Sequence, residues 1–157
     1  MDPHKLAKTL GMDWPALRET VRTSVATLFS LLLARALKLP EYYWAPISTI
    51  VILLSTIDPL QGSWQRFVGT ALGAALGAVF ATFFGRTAVI YAAGILLCGI
   101  VASILRLWSA YRVAAITFSI VVLVSRGPVW LIAWHRFLEV SLGIAVALLA
   151  ALVPPRK

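Results

Sequence analysis

Between Trp64 and Gly85 a single charge, Arg66, interrupts a run of apolar and small residues. As a helix, such a run is long enough to cross the roughly 30 Å hydrocarbon core of a bilayer. It is one of six. Bounded by charge, proline or glycine, the spans run roughly 19–38, 42–58, 64–85, 88–106, 110–126 and 133–153. Of the 157 residues 61% are hydrophobic and 13% charged, against about 25% charged in a soluble domain. The expected fold class is therefore all-α, a polytopic membrane protein with six transmembrane helices. Residues 17–153 form the membrane domain, 1–16 a cytoplasmic interfacial segment and 154–157 a cytoplasmic tail.

The flanks agree with that division. The start, "MDPHKLAKTLGMDW", scatters its apolar residues and offers no cleavage site, so it reads as an interfacial helix rather than a secretory signal. All six tryptophans lie at or just outside a span end, as do Tyr42, Tyr43 and Tyr111, which suits an aromatic belt. With six spans the termini share one side. That side collects Lys5, Lys8, Arg18, Arg22, Arg66, Arg106, Arg112, Arg156 and Lys157, against Arg35, Lys38, Arg86, Arg126 and Arg136 opposite. The excess places both termini in the cytoplasm of a cell whose inner membrane holds the chain. A net charge of +8 raises nucleic acid as a partner, but the basic residues flank apolar segments instead of forming a stripe, so the lipid bilayer is the expected partner. The single Cys98 lies within an apolar run and reads as a small packing residue.

The chain also repeats itself. Residues 45–81 pair with 115–151 at an offset of 70 without a gap, and twelve of the 37 pairs are identical, with Trp64, Arg66 and Phe67 meeting Trp134, Arg136 and Phe137 in order. The repeat unit then holds three spans, about 19–85 and 88–153. An odd number of crossings makes the second unit enter from the opposite side, giving a 3+3 inverted-topology repeat. The first and fourth spans match poorly.

Three features of the spans carry chemistry. The fifth has only 13 residues between Arg112 and Arg126, and the second has Pro46 near its start and Asp58-Pro59 at its end. Short or proline-interrupted helices at corresponding places are the sequence pointer to a substrate pathway. Their hydroxyls include Ser48, Thr49, Ser55 and Thr56, then Thr117, Ser119 and Ser125. The third span carries Gly69, Gly73, Gly77, Ala81 and Gly85 every four residues, continued in the sixth by Gly143, Ala147 and Ala151. Such ridges let helices approach closely. Finally, Glu139 stands more than one turn into the sixth span, where a carboxylate must be paired, protonated or hydrated. Arg136, three residues earlier, is its expected partner, and Arg66 is the expected partner of Asp58. Glu139 and Asp58 are the candidates for proton coupling. No nucleophile with a base, no phosphate-binding loop and no metal-ligand spacing stands out, so neither an enzyme nor a cofactor is expected.

At "YYWAPISTIVILLSTIDPLQGSWQRFVGTALGAALGAVFA", Tyr42 to Ala81, the sequence resembles the fusaric acid resistance protein family, which includes aromatic acid exporters and plant aluminium-activated malate transporters. "AWHRFLEVSLGIAVALLAALV" is similar to the closing span of the same module. Trp44, Pro46, Arg66, Gly69, Gly73 and Arg136 occupy the motif positions. The resemblance implies a six-helix module that moves organic anions, such as aromatic carboxylates, outward. Larger members carry two modules or a soluble domain. One module here leads to the expectation of a homodimer joined across a glycine-rich face. On this reading Arg66, Arg112, Arg126 and Arg136 stand at the mouths and attract the carboxylate, with Ser55, Thr56 and Ser125 along the passage. A passive anion channel and a non-transporting membrane subunit are the alternatives.

Overall fold

The computed structural model describes residues 14–124 and 127–152, and all regular structure among them is helical. There are six helices: α1 (Trp14–Ala36), α2 (Trp44–Leu53), α3 (Pro59–Phe83), α4 (Ala88–Ile104), α5 (Trp108–Ser119, continued by a π-helical segment Ile120–Val124) and α6 (Val129–Ala151). Each matches one expected span, and local chemistry sets its ends. Asp58 caps α3, its Oδ2 accepting from the N–H groups of Leu60 and Gln61 at 3.0 and 3.2 Å, and Pro59 fills the first helical position. Thr87 caps α4 through the N–H of Ile90. Pro128 precedes α6. The anticipated Asp58–Arg66 contact is not formed, because the Asp58 carboxylate is occupied at the helix end. Asp58→Ala should cost about 1 kcal/mol of stability, read as a lower unfolding midpoint in detergent with anion binding unchanged. The expected interfacial helix before Trp14 lies outside the described residues.

The second and fifth helices are short, as their prolines and arginines suggest. α2 has ten residues, and α5 reaches Val124 only by widening into a π-helical turn that buries both Val121 and Val122. Two helices, α3 and α6, are long and apolar enough to cross a membrane by themselves.

Packing is inside-out relative to a soluble protein. Large apolar side chains face outward: Val25 is 62% exposed, Leu96 65% and Leu149 63%. The interior is rich in small and hydroxylated residues, Ala34, Ala45, Ala78, Ala114, Ser30, Ser48 and Thr49 being fully buried, beside Ile52, Phe118, Val121 and Val122. Helices pressed together without a hydrophobic driving force use such residues, because backbones can then approach closely. α3 packs on α5 and α6, and α6 on α2, with α1 against α2 and α4 against α5. Gly69, Gly73, Gly77 and Gly143 of the glycine ridge pack against helices of the same chain, while Gly85 meets no neighbour. A Cβ on Gly73 would run into the carbonyl of Ala114 and the side chain of Thr117 on α5; one on Gly143 would run into the carbonyl of Ala45 and the side chain of Ser48 on α2.

The first and fourth helices, poorly matched in sequence, end alike. Lys38 and Arg106, 68 positions apart, both take left-handed conformations with φ of 53° and 55°. Leu39 N–H donates to Ala34 O as Leu107 N–H does to Ala102 O, a shared C-terminal motif. Before it, every fourth residue is buried: Ala26, Ser30 and Ala34 in α1, and Gly94, Cys98 and Ala102 in α4.

Candidate functional site

Where α2, α3, α5 and α6 meet, a cavity of about 40 Å³ is lined by Trp44, Arg66, Thr70, Val113, Ile116, Thr117, Arg136 and Val140. Arg66 enters from α3 and Arg136 from α6, two helices that cross with their charged ends reversed. Both guanidinium groups line this one cavity.

The two guanidinium groups have different surroundings. Arg136 is 3% exposed. Its Nη1 lies 3.2 Å from Glu41 Oε2, and its guanidinium carbon sits 3.2 Å from the centroid of the Trp44 ring. Ion pair and ring face together hold this charge where little water reaches. Trp44 Nε1 donates to the same Glu41 oxygen at 3.0 Å, which fixes ring and carboxylate as a unit. Arg66 is half-buried and has no carboxylate within ion-pair range among the described residues. Its Nε donates to Ser48 Oγ at 3.1 Å, and Ser48 in turn donates to the carbonyl of Trp44 at 2.8 Å. The terminal nitrogens of a guanidinium form a planar fork suited to a carboxylate, and at Arg66 no acidic side chain takes that place.

Glu139 is fully buried. It does not pair with Arg136. Glu41, from the connection between α1 and α2, inserts between them: its carboxylate takes Arg136, and its backbone N–H donates to Glu139 Oε1 at 2.8 Å. Glu139 Oε2 is buried without a partner. At the corresponding place on α3 stands Gly69, tight against the α5 backbone, where a Cβ would come within 2.6 Å of Ala110 O. The equivalent positions thus differ in kind, a buried carboxylate on α6 and a glycine packed on the α5 backbone on α3.

Of the other residues expected at the site, Arg112 is exposed and does not line the cavity. Ser55 lies in the turn after α2, its Oγ accepting from Ile57 N–H at 3.3 Å, and Thr56 is exposed. Ser125 and Arg126 lie outside the described residues. Gly69, Gly73, Gly77 and Gly143 are buried at helix contacts, as the ridge implies. Glu41 is the member that sequence reasoning passed over. The signal for it is thin: it is one of only six acidic residues, placed three before a tryptophan.

An apolar exterior over helix contacts rich in small and hydroxylated residues, with two helices long enough to cross a bilayer, suits a membrane protein. The chain belongs to the aromatic acid exporter family: the model described as "Aromatic acid exporter family member 1" matches residues 16–153. No curated protein and no solved structure matches it.

Proposed function

We propose that this chain exports small organic anions, aromatic carboxylates foremost, across the inner membrane, with the carboxylate bound at Arg66. One observation carries the reading: a guanidinium at the crossing of four helices that no acidic side chain neutralises, in a family of exporters. A cavity of about 40 Å³ is smaller than the roughly 150 Å³ that admits benzene. Helices must therefore part for an aromatic acid to reach Arg66.

The parting helices are supplied by a 3+3 inverted repeat in which all six helices cross the bilayer, both termini cytoplasmic. Three observations support it: the matched ends of α1 and α4, the equivalent glycine contacts of α3 on α5 and of α6 on α2, and the antiparallel run of α3 against α6, with Phe67 on Phe137 and Ala78 near Val129. Alternating access is rocking of one such half against the other. Glu139 carries the coupled proton, since it is fully buried with one oxygen unpartnered beside the Arg136–Glu41 pair. Two copies make the working unit, joined through faces other than the glycine ridge.

The test is uptake of labelled aromatic and dicarboxylic acids into proteoliposomes, with and without a pH gradient. Aromatic acid flux should appear and rise with the gradient. Glu139→Gln should keep downhill flux and lose the acceleration; acceleration that survives would remove Glu139 from the coupling. Flux indifferent to the gradient in the unaltered chain would make it a passive channel. Absence of flux would make it a non-transporting membrane subunit.

A further inference from the structure

Away from the arginines, a groove of about 500 Å³ runs between the N-terminal half of α1 and the end of α2. Thr20, Thr23, Ser24 and Thr27 form one wall; Ile50 and Leu54 stand across from them. Its rim residues Thr20, Ser24, Ile50 and Leu54 are exposed, so it opens on the outer surface. Its floor is polar in an unusual way. Thr20 Oγ1 donates to the carbonyl of Ala16 at 2.9 Å, the ordinary outlet for a helical hydroxyl. Thr23, 93% buried, and Thr27 do not follow it: both Oγ1 atoms are buried without a partner. In a bilayer no water meets that need. Both residues line the groove, and threonine has two χ1 rotamers open to it in a helix, so neither hydroxyl is locked in its present direction.

The other half of the chain shows what such a slot ordinarily holds. Tyr91 stands three residues before the buried series of α4, as Thr23 stands three before that of α1. Tyr91 fills its slot with a ring, its OH hydrogen-bonded to Ser119 Oγ at 2.9 Å and its ring 6.1 Å from that of Phe118. Phe118 packs directly on Gly94. Between α1 and α2 no ring plays that part, and the space is lined by hydroxyls at one level and leucine or isoleucine beside them. The Glu19–Arg22 ion pair lies on the same turns as Thr20 and Thr23. Charge, then hydroxyl, then hydrocarbon is the order met on entering a bilayer leaflet.

We infer that this groove binds one bilayer phospholipid, with an ester carbonyl accepting from Thr23 and Thr27 and the proximal acyl chain lying against Leu28, Leu31 and Ile50. The inference rests on α1 lying in the bilayer and is independent of transport. The phospholipid acts as a structural ligand that completes the α1–α2 contact from outside.

Native mass spectrometry of the chain, extracted in mild detergent and offered mixed phosphatidylethanolamine and phosphatidylglycerol, tests it. The unaltered chain should retain one phospholipid per copy. Thr23→Val with Thr27→Val, close in shape but without hydroxyls, should retain it about tenfold less, the loss expected for two hydrogen bonds. Thr23→Ser with Thr27→Ser should restore it. Ile50→Phe, which fills the groove, should exclude the lipid while the folded yield holds. Equal retention by the valine variant overturns the inference. So does a valine variant that changes the dimer fraction in place of lipid retention, since the groove would then seat a second copy. Displacement of the lipid by millimolar benzoate would assign the groove to solute and overturn it as well. Flux is not read in any arm, so failure here leaves the Arg66 site untouched.

Discussion

An Arg66→Gln chain should fold and reach the membrane, yet its flux of aromatic carboxylate should fall at least about tenfold, since a hydrogen bond to a charged group contributes about 1.5–3 kcal/mol. Glutamine keeps a donor for Ser48 and removes the charge, so helix packing loses little. The uncompensated state of Arg66 makes the effect specific. Arg136 already faces Glu41 at 3.2 Å, and its removal would leave Glu41 without its counter-ion, mixing a folding defect with a binding one. Arg66 has no such dependent. Arg66→Lys should recover part of the flux, because the charge returns without the planar fork. Arg112→Gln, on an exposed residue outside the cavity lining, should stay close to the unaltered rate. Equal loss in Arg66→Gln and Arg112→Gln would mean that surface charge, not this cavity, draws the anion.

The second large effect is structural. Gly143→Val should reduce folded protein to a small fraction, a destabilisation of about 3 kcal/mol or more, because its side chain would meet the Ala45 carbonyl and the Ser48 side chain, 2.7 Å from the latter's Cβ. The α2 backbone has no rotamer by which to yield. Gly62→Ala is the matched control: its Cβ meets Ile57 at 3.5 Å, ordinary contact, so the helix should gain slightly, by up to about 1 kcal/mol. Monodispersity on size exclusion after detergent extraction reads both. A monodisperse Gly143→Val chain would mean that α2 does not rest on α6 as described.

Much of this was legible before any coordinates. Apolar runs bounded by Pro59, Gly85 and Pro128 announce the helices, because those residues act locally on the backbone. Four-residue glycine spacing announces close packing, although not its partner: it is α5 for Gly73 and α2 for Gly143. The charged site was less legible. Glu41 and Glu139 are 98 positions apart, and nothing local to either says that an N–H from one will meet the other. Arg136 and Glu139 share a helix face, and the natural inference of a pair fails because a third residue comes between them. Sequence puts the arginines at span ends, but it does not say that Arg66 and Arg136 line one cavity while Arg112 stays exposed. The offset of 70 holds for 45–81 against 115–151, whereas the ends of α1 and α4 correspond at 68, which is why an ungapped comparison matches those two helices poorly.

The surroundings of Gly69 and of Glu139 differ in material. At Gly69 the contact is shape alone, a backbone pressed on a backbone, which parts only when whole helices move. At Glu139 it is two carboxylates, an arginine and one N–H, which a proton or a single side-chain rotation can loosen. The second contact is therefore adjustable by substitution at position 41, while the first is set by the fold.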